Sequence, residues 1–176
     1  MKHSIFKLLF VALFIGFGCQ LFAQQAIISG IYTLDTVEYR VASPSEYGTI
    51  LISRTQQTKM RENRTIVNDI PLDYIRTRMS NEEVYKQIVK DVLGSAKVNA
   101  LKNAGEQLNF YFYFEPTGKI LNLDFNVKAG TLLTLNDIAN IDRALREKYT
   151  ATFTSINNGH QYLYWIANNG RVDFRK

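Results

Sequence analysis

One stretch near the middle of the chain, Leu108 to Val127, restricts the possible folds more than any other. Leu108, Phe110, Phe112 and Phe114 alternate with Asn109, Tyr111 and Tyr113. After Glu115-Pro116-Thr117-Gly118, Leu121, Leu123, Phe125 and Val127 alternate with Asn122, Asp124 and Asn126. A period of two carried through both arms predicts an antiparallel hairpin with one buried and one polar face. Burying each large side chain is worth roughly 1.5–3 kcal/mol, and a slip of one residue would turn the whole apolar set outward. The hairpin therefore needs something to cover one face.

Two helical patterns flank it. Ser80-x-x-Glu83 has the form of a capping box, followed by Val84, Ile88, Val92 and Ala96 at four-residue spacing, with Tyr85, Val89 and Leu93 beside them. This predicts a helix from Ser80 that Gly94-Ser95 bends or divides and Gly105 stops. Thr134 caps a second helix carrying Ile138, Ile141, Leu145 and Tyr149 on one side. Before the first helix, Ile27 to Leu34, Val37 to Val41 and Thr49 to Arg54 read as strands interrupted by Asp35-Thr36 and Ser43-Pro44-Ser45-Glu46. Gln56 to Thr65, polar and charged, reads as an exposed loop or as a continuation of the third strand. After the second helix, Asn157-Asn158-Gly159 and Asn168-Asn169-Gly170 predict turns of a closing meander built on Ala151 to Ile156, Tyr162 to Ala167 and Val172 to Phe174. The expected class is α+β: an antiparallel sheet with two main helices packed on one face, plus N-terminal strands.

The first residues address a compartment. Lys2 and Lys7, the apolar run Leu8 to Phe17 and Leu21-Phe22-Ala23 have the order of a secretory signal peptide. Three fates fit: cleavage after Ala23, lipidation at Cys19 with Gly18 before it, or an uncleaved anchor, although the apolar stretch is short of the roughly 20 residues that span a bilayer. Cleavage divides the chain into a leader, 1–23, and a single domain, 24–176, made of strands and loop over 24–79 and a helix-hairpin-helix-meander unit over 80–176. An exported chain would be periplasmic, outer-membrane associated or extracellular, and would meet a membrane only through a retained leader or a lipidated Cys19.

Removing 23 of 176 residues leaves 153, enough for one core. Cys19 is the only cysteine, so a chain cleaved after Ala23 has neither a disulfide nor a thiolate site. Of 21 basic residues Lys2 and Lys7 leave, and 19 face 16 acidic ones. That balance does not suggest nucleic acid. Arg54, Lys59, Arg61, Arg64, Arg76 and Arg78 gather in one segment opposed by Glu62, Asp69 and Asp73. They form either a solvated loop face or a contact for anionic lipid, glycan or polymer.

Motifs for chemistry are sparse. His160, the only histidine left once the leader is removed, sits beside Gly159 and reads as a solvated turn residue without a metal-sharing partner. Neither a nucleophile elbow nor a phosphate-cradling glycine loop occurs, and no cofactor is implied. A pair of carboxylates remains open: Asp124 on the polar face, or Glu106 and Glu115 at the ends of the first arm, could serve a hydrolase acting on an envelope or dietary polymer. Solvent-facing sheet acids explain the same residues. Tyr111, Tyr113, Tyr162, Tyr164 and Trp165 fall on expected strands. Tyr111, Tyr113, Tyr162 and Tyr164, if aligned on the uncovered face, form a platform for a sugar, peptide or protein partner; alternatively half of these aromatics close a second small core.

Three resemblances add to this. Phe-Ala-Gln-Gln at the leader junction looks like Bacteroidetes signal peptides. Asp35-Thr36-Val37 resembles the short Asp-Ser/Thr-apolar site of protein O-glycosylation in that phylum, with Thr36 as acceptor. The segment Val84 to Phe174 resembles the TonB C-terminal domain fold family. The matching features are the helix ending near Gly105, the strand Phe110 to Phe114, Pro116-Thr117-Gly118-Lys119-Ile120 and the strand to Val127. Beyond them come the helix from Asp137-Ile138-Ala139 to Ala144-Leu145 and the aromatic run leading to Asn158-Gly159 and Tyr162. The resemblance covers about half of the exported chain and lacks that family's proline after the post-helix aromatic. It implies binding of an extended peptide by strand addition at a sheet edge. Energy-transducing members also use a membrane helix and a long proline-rich arm, and this chain has three prolines in all. The expectation is an exported, non-enzymatic binding or assembly module engaging an envelope protein, peptide strand or glycan through its sheet.

Overall fold

In the computed structural model, residues 26–60 and 77–176 are described. The leader with Cys19, and Arg61, Arg64 and Arg76 of the basic segment, lie outside them. Six strands form one antiparallel sheet in the order β1-β2-β3-β6-β5-β8. They are β1 (Gly30–Leu34), β2 (Val37–Val41), β3 (Thr49–Arg54), β5 (Gln107–Phe114), β6 (Ile120–Lys128) and β8 (Ile166–Asp173). β4 (Arg78–Met79) and β7 (Phe153–Thr154) make a separate two-stranded ribbon. Helices α1 (Glu82–Asn103) and α2 (Leu135–Lys148) pack against each other and cover one face of the sheet. The class is α+β, as the patterns require.

The hairpin takes its predicted register except next to the turn. Phe110 pairs with Phe125, Tyr111 with Asp124 and Tyr113 with Asn122. Phe110, Phe112 and Phe114 stack along β5 at 5.3 and 5.1 Å between centroids, on the side facing the helices. At the turn end Phe114 pairs with Ile120, so the register shifts after Tyr113 and Leu121 is the extra, half-buried residue of a bulge. Ile120 takes the buried place that simple alternation assigns to Leu121. A glycine is required in the turn at Gly118, with φ 90°, because a Cβ there would lie 1.9 Å from the carbonyl oxygen of Ala151.

Helix α1 starts later than the capping-box reading allows. Asn81 is the N-cap without a side-chain cap bond, and Ser80 donates its hydroxyl instead to the carbonyl of Thr152 beside the ribbon. Gly94 does break the helix, at φ 72° and ψ 161°, so Tyr85, Val89 and Leu101 are buried while Val84 and Ala96 are exposed. The C-terminus is a Schellman motif, in which Glu106 N–H bonds Leu101 C=O and Gly105 N–H bonds Lys102 C=O. In α2 the Thr134 hydroxyl accepts from Asp137 N–H and the Asp137 carboxylate accepts from Thr134 N–H. Lys97 of α1 also meets that carboxylate at 2.9 Å, tying the helices together.

The closing meander is the largest departure. Ile156–Tyr162 is a 3-10 helix, and β8 runs unbroken through Asn168-Asn169-Gly170. Gly170 serves packing here. A Cβ would stand 2.7 Å from Phe112 Cε2 and 3.1 Å from the Tyr85 hydroxyl, and the absence of a side chain lets those two rings reach the strand.

A charged cluster seats α2 on the sheet. Asp142, with no exposed surface, accepts from Tyr39 Oη at 2.7 Å, Arg54 Nε at 2.6 Å and Arg146 Nε at 2.9 Å. Arg146 also donates to the carbonyls of Ile120 and Leu121, the backbone groups at the bulge. Burial, then the adjacent Asp142 carboxylate, pushes the Tyr39 hydroxyl far above the ordinary tyrosine range.

Candidate functional site: the open face of the sheet

Alternation sends every second residue of the sheet away from the helices. Registers align Ile31, Arg40, Ser53, Asp124, Tyr111 and Asn169 as one row crossing all six strands. A second row holds Leu51, Asn126, Asn109 and Arg171, and a third Asn122, Tyr113 and Ala167. The centre of this face is made of side-chain amides, one carboxylate and two tyrosines.

Part of the face is covered by the chain itself. After β3 the backbone crosses back, and Asn122 grips it at both ends of one residue: Thr58 N–H donates to Asn122 Oδ1 at 2.8 Å, and Asn122 Nδ2 donates to Thr58 C=O at 2.9 Å. Gln57 Nε2 donates to Asp124 Oδ1 at 2.6 Å. Under this cover, desolvation raises the Asp124 carboxyl above the usual range, while hydrogen bonds from Ser53 and Gln57 and the Arg146 charge pull it back. Asn126 Nδ2 reaches the Tyr111 hydroxyl at 3.4 Å, and its buried Oδ1 has no partner. One amide acceptor is thus left buried without a bond.

The four tyrosines singled out in the sequence are separated by the fold. Tyr111, 37% exposed, and half-buried Tyr113 sit on β5. Tyr162, 46% exposed, ends the 3-10 helix, and half-buried Tyr164 follows it before β8 begins, so neither occupies the expected strand. The ring facing Tyr113 belongs to Trp165, 5.9 Å away. Local pattern could not pair these two, because β8 reaches β5 only through α2 and the 3-10 turn.

The remaining candidates fall elsewhere. Thr36 is exposed at the tip of the β1–β2 hairpin, where Asp35 and Thr36 both have positive φ, 46° and 69°, the backbone of a type I′ turn. Asp35 is held by an ion pair with Arg143 of α2. Glu106 is structural: its carboxylate accepts from the Thr131 hydroxyl and, at 2.7 Å, from Leu132 N–H. His160 is half-buried rather than freely solvated, with Nδ1 2.7 Å from Ser155 Oγ. Among the described residues no group of three or more His, Cys, Asp or Glu is arranged to hold a metal ion, and no helix is long and apolar enough to cross a membrane.

Comparison with known proteins adds the fold alone. No protein-family model matches the sequence, and no curated protein matches it. Among solved structures, the chain is similar to a DUF5043 family protein from Bacteroides uniformis ATCC 8492. The TM-score is 0.60 at 11% identity over 82% of this chain and 85% of that one. The α+β architecture is therefore one that a second protein also adopts.

Proposed function

We propose that this protein is an exported, non-enzymatic binding module that engages a glycan chain through the open face of its sheet. The observation that carries the reading is the part of the face that the described residues leave open: Tyr111, Tyr113 and Trp165 supply ring surfaces, and Asn109, Asn126 and Asn169 supply polar groups around them. Rings that stack on sugar faces beside amides that bond hydroxyls make a suitable surface for a carbohydrate. Export rests on the leader pattern, and an envelope polysaccharide is the ligand that compartment would offer.

The peptide-strand reading suggested by the TonB resemblance has less support at the β8 edge. The Tyr85 hydroxyl accepts from Arg171 N–H at 3.0 Å and donates to Arg171 C=O at 3.4 Å, occupying main-chain groups that an added strand would need. The hydrolase reading wants two acids roughly 5–9.5 Å apart. Among the described strand residues, Glu38 and Asp173 are the other acids that alternation directs to this face, and each lies two strands from Asp124 and displaced along the sheet, about 12 Å or more between backbones at normal strand spacing.

The test is binding of the purified protein to an array of envelope and dietary glycans, repeated with Tyr111→Ala/Tyr113→Ala. Selective binding that the double variant loses, with its thermal midpoint within a few degrees of the parent, supports the reading. Absence of binding across the array, or binding that survives the substitution, overturns it. Release of soluble sugar that Asp124→Asn abolishes would establish the hydrolase instead.

A further inference from the structure

The two edges of the sheet differ in how they are closed. At β8, besides the Tyr85 bonds to Arg171, Asp173 is clamped by Arg175 at the strand end. At β1 nothing comparable exists among the described residues, where its only strand neighbour is β2. The residues from Ala26 to Leu34 include no charge and no proline, the devices that usually keep an edge from pairing. Ile31 is 60% exposed and Ile28 64%. The edge is also held in place: a two-residue type I′ turn sets its register, and the Asp35–Arg143 ion pair fastens that turn to α2.

Hairpin geometry says which groups are free. Leu34 and Val37 close the two-residue loop and so form a hydrogen-bonded pair, as do Tyr32 with Tyr39 and Gly30 with Val41. The N–H and C=O groups of Ile31 and Thr33 therefore point away from the sheet.

We infer that β1 pairs with β1 of a second copy of this chain, antiparallel about a two-fold axis, joining two sheets into one of twelve strands. Ile31 of one copy faces Thr33 of its partner and the reverse, each pair exchanging two main-chain bonds, and Tyr32 meets its symmetry mate at the axis on the helix side. A second copy is the occupant that fits because the strand is uncharged throughout. A two-fold pairing then opposes no like charges, and the apolar Ile31 packs against the partner's Thr33. On the helix side, a cavity of about 190 Å³ that Ile28, Tyr32, Leu34, Thr134, Leu135 and Asn136 help to line lies along this edge, beside the axis at Tyr32. The inference does not depend on the glycan reading, since β1 lies four strands from β5.

Sedimentation of the chain from Gln24 onward, which contains the described fold and no cysteine, tests it. A concentration-dependent dimer is expected, with Ile31→Lys weakening association at least about tenfold and leaving the unfolding midpoint of the monomer unchanged. Tyr32→Cys should form an intermolecular disulfide under mild oxidation far faster than Leu51→Cys, which is exposed on the open face away from the axis. A monomer at all concentrations up to about 1 mM, a dimer indifferent to Ile31→Lys, or equal cross-linking of the two cysteine variants overturns the inference.

Discussion

Gly170 and Asp142 are the single residues on which the packing turns most sharply. The sequence Asn168-Asn169-Gly170 has the composition of a hairpin turn, yet β8 continues through it because Phe112 and Tyr85 occupy the space a side chain would need. Gly170→Ala should destabilise by about 1–3 kcal/mol through overpacking, read as a lower denaturant midpoint with an unchanged slope; a neutral result would mean that the rings move aside without cost. Asp142 is a buried charge whose partners come from β2, β3 and its own helix. Asp142→Ala leaves Tyr39, Arg54 and Arg146 without their common acceptor and should cost about 3 kcal/mol or more. Equilibrium unfolding of the variant would show it, and a loss below about 1 kcal/mol would mean that Arg54 and Arg146, both partly exposed, recover their solvation in water.

At the level of elements, short-range chemistry was readable where the partner lay within one turn. Thr134 and Asp137 formed the expected reciprocal cap, and Gly105 closed α1 through neighbouring carbonyls. Thr134→Ala should therefore cost about 1 kcal/mol, seen as a lower thermal midpoint, with no change if Asp137 alone holds the first turn. Ser80-x-x-Glu83 carried an equally good pattern and failed, because Ser80 and Asn81 are drawn to Thr150 and Thr152 beside the β4–β7 ribbon, far away in sequence. Of the expected tyrosine platform, Tyr111 and Tyr113 were legible from the alternation of β5. Tyr162 and Tyr164 were misplaced with the meander, and the contact of Trp165 with Tyr113 depends on how β8 returns.

For the molecule as a whole, the helix-covered face contains tyrosines that resist ionisation. Burial raises Tyr39, Tyr85 and Tyr149 above the ordinary tyrosine value, Tyr39 further through Asp142 and Tyr149 further through Tyr85. The unfolded chain would release these protons near pH 10 while the folded one retains them, so stability is whole below about pH 10 and falls as pH rises beyond it. Urea midpoints measured from pH 8 to 11 should show that fall, less steep in Tyr39→Phe; a flat profile would mean that these hydroxyls are more hydrated than their burial indicates. Sequence by itself determined the class of fold, the hairpin register away from its turn and the start of α2, because each follows from period, turn residues and contacts between near neighbours. Tertiary structure alone decided that β3 joins β6 and how β8 runs. It also decided which rings share the open face and which edge is closed by Tyr85, because these depend on side chains that meet only after the intervening chain has folded.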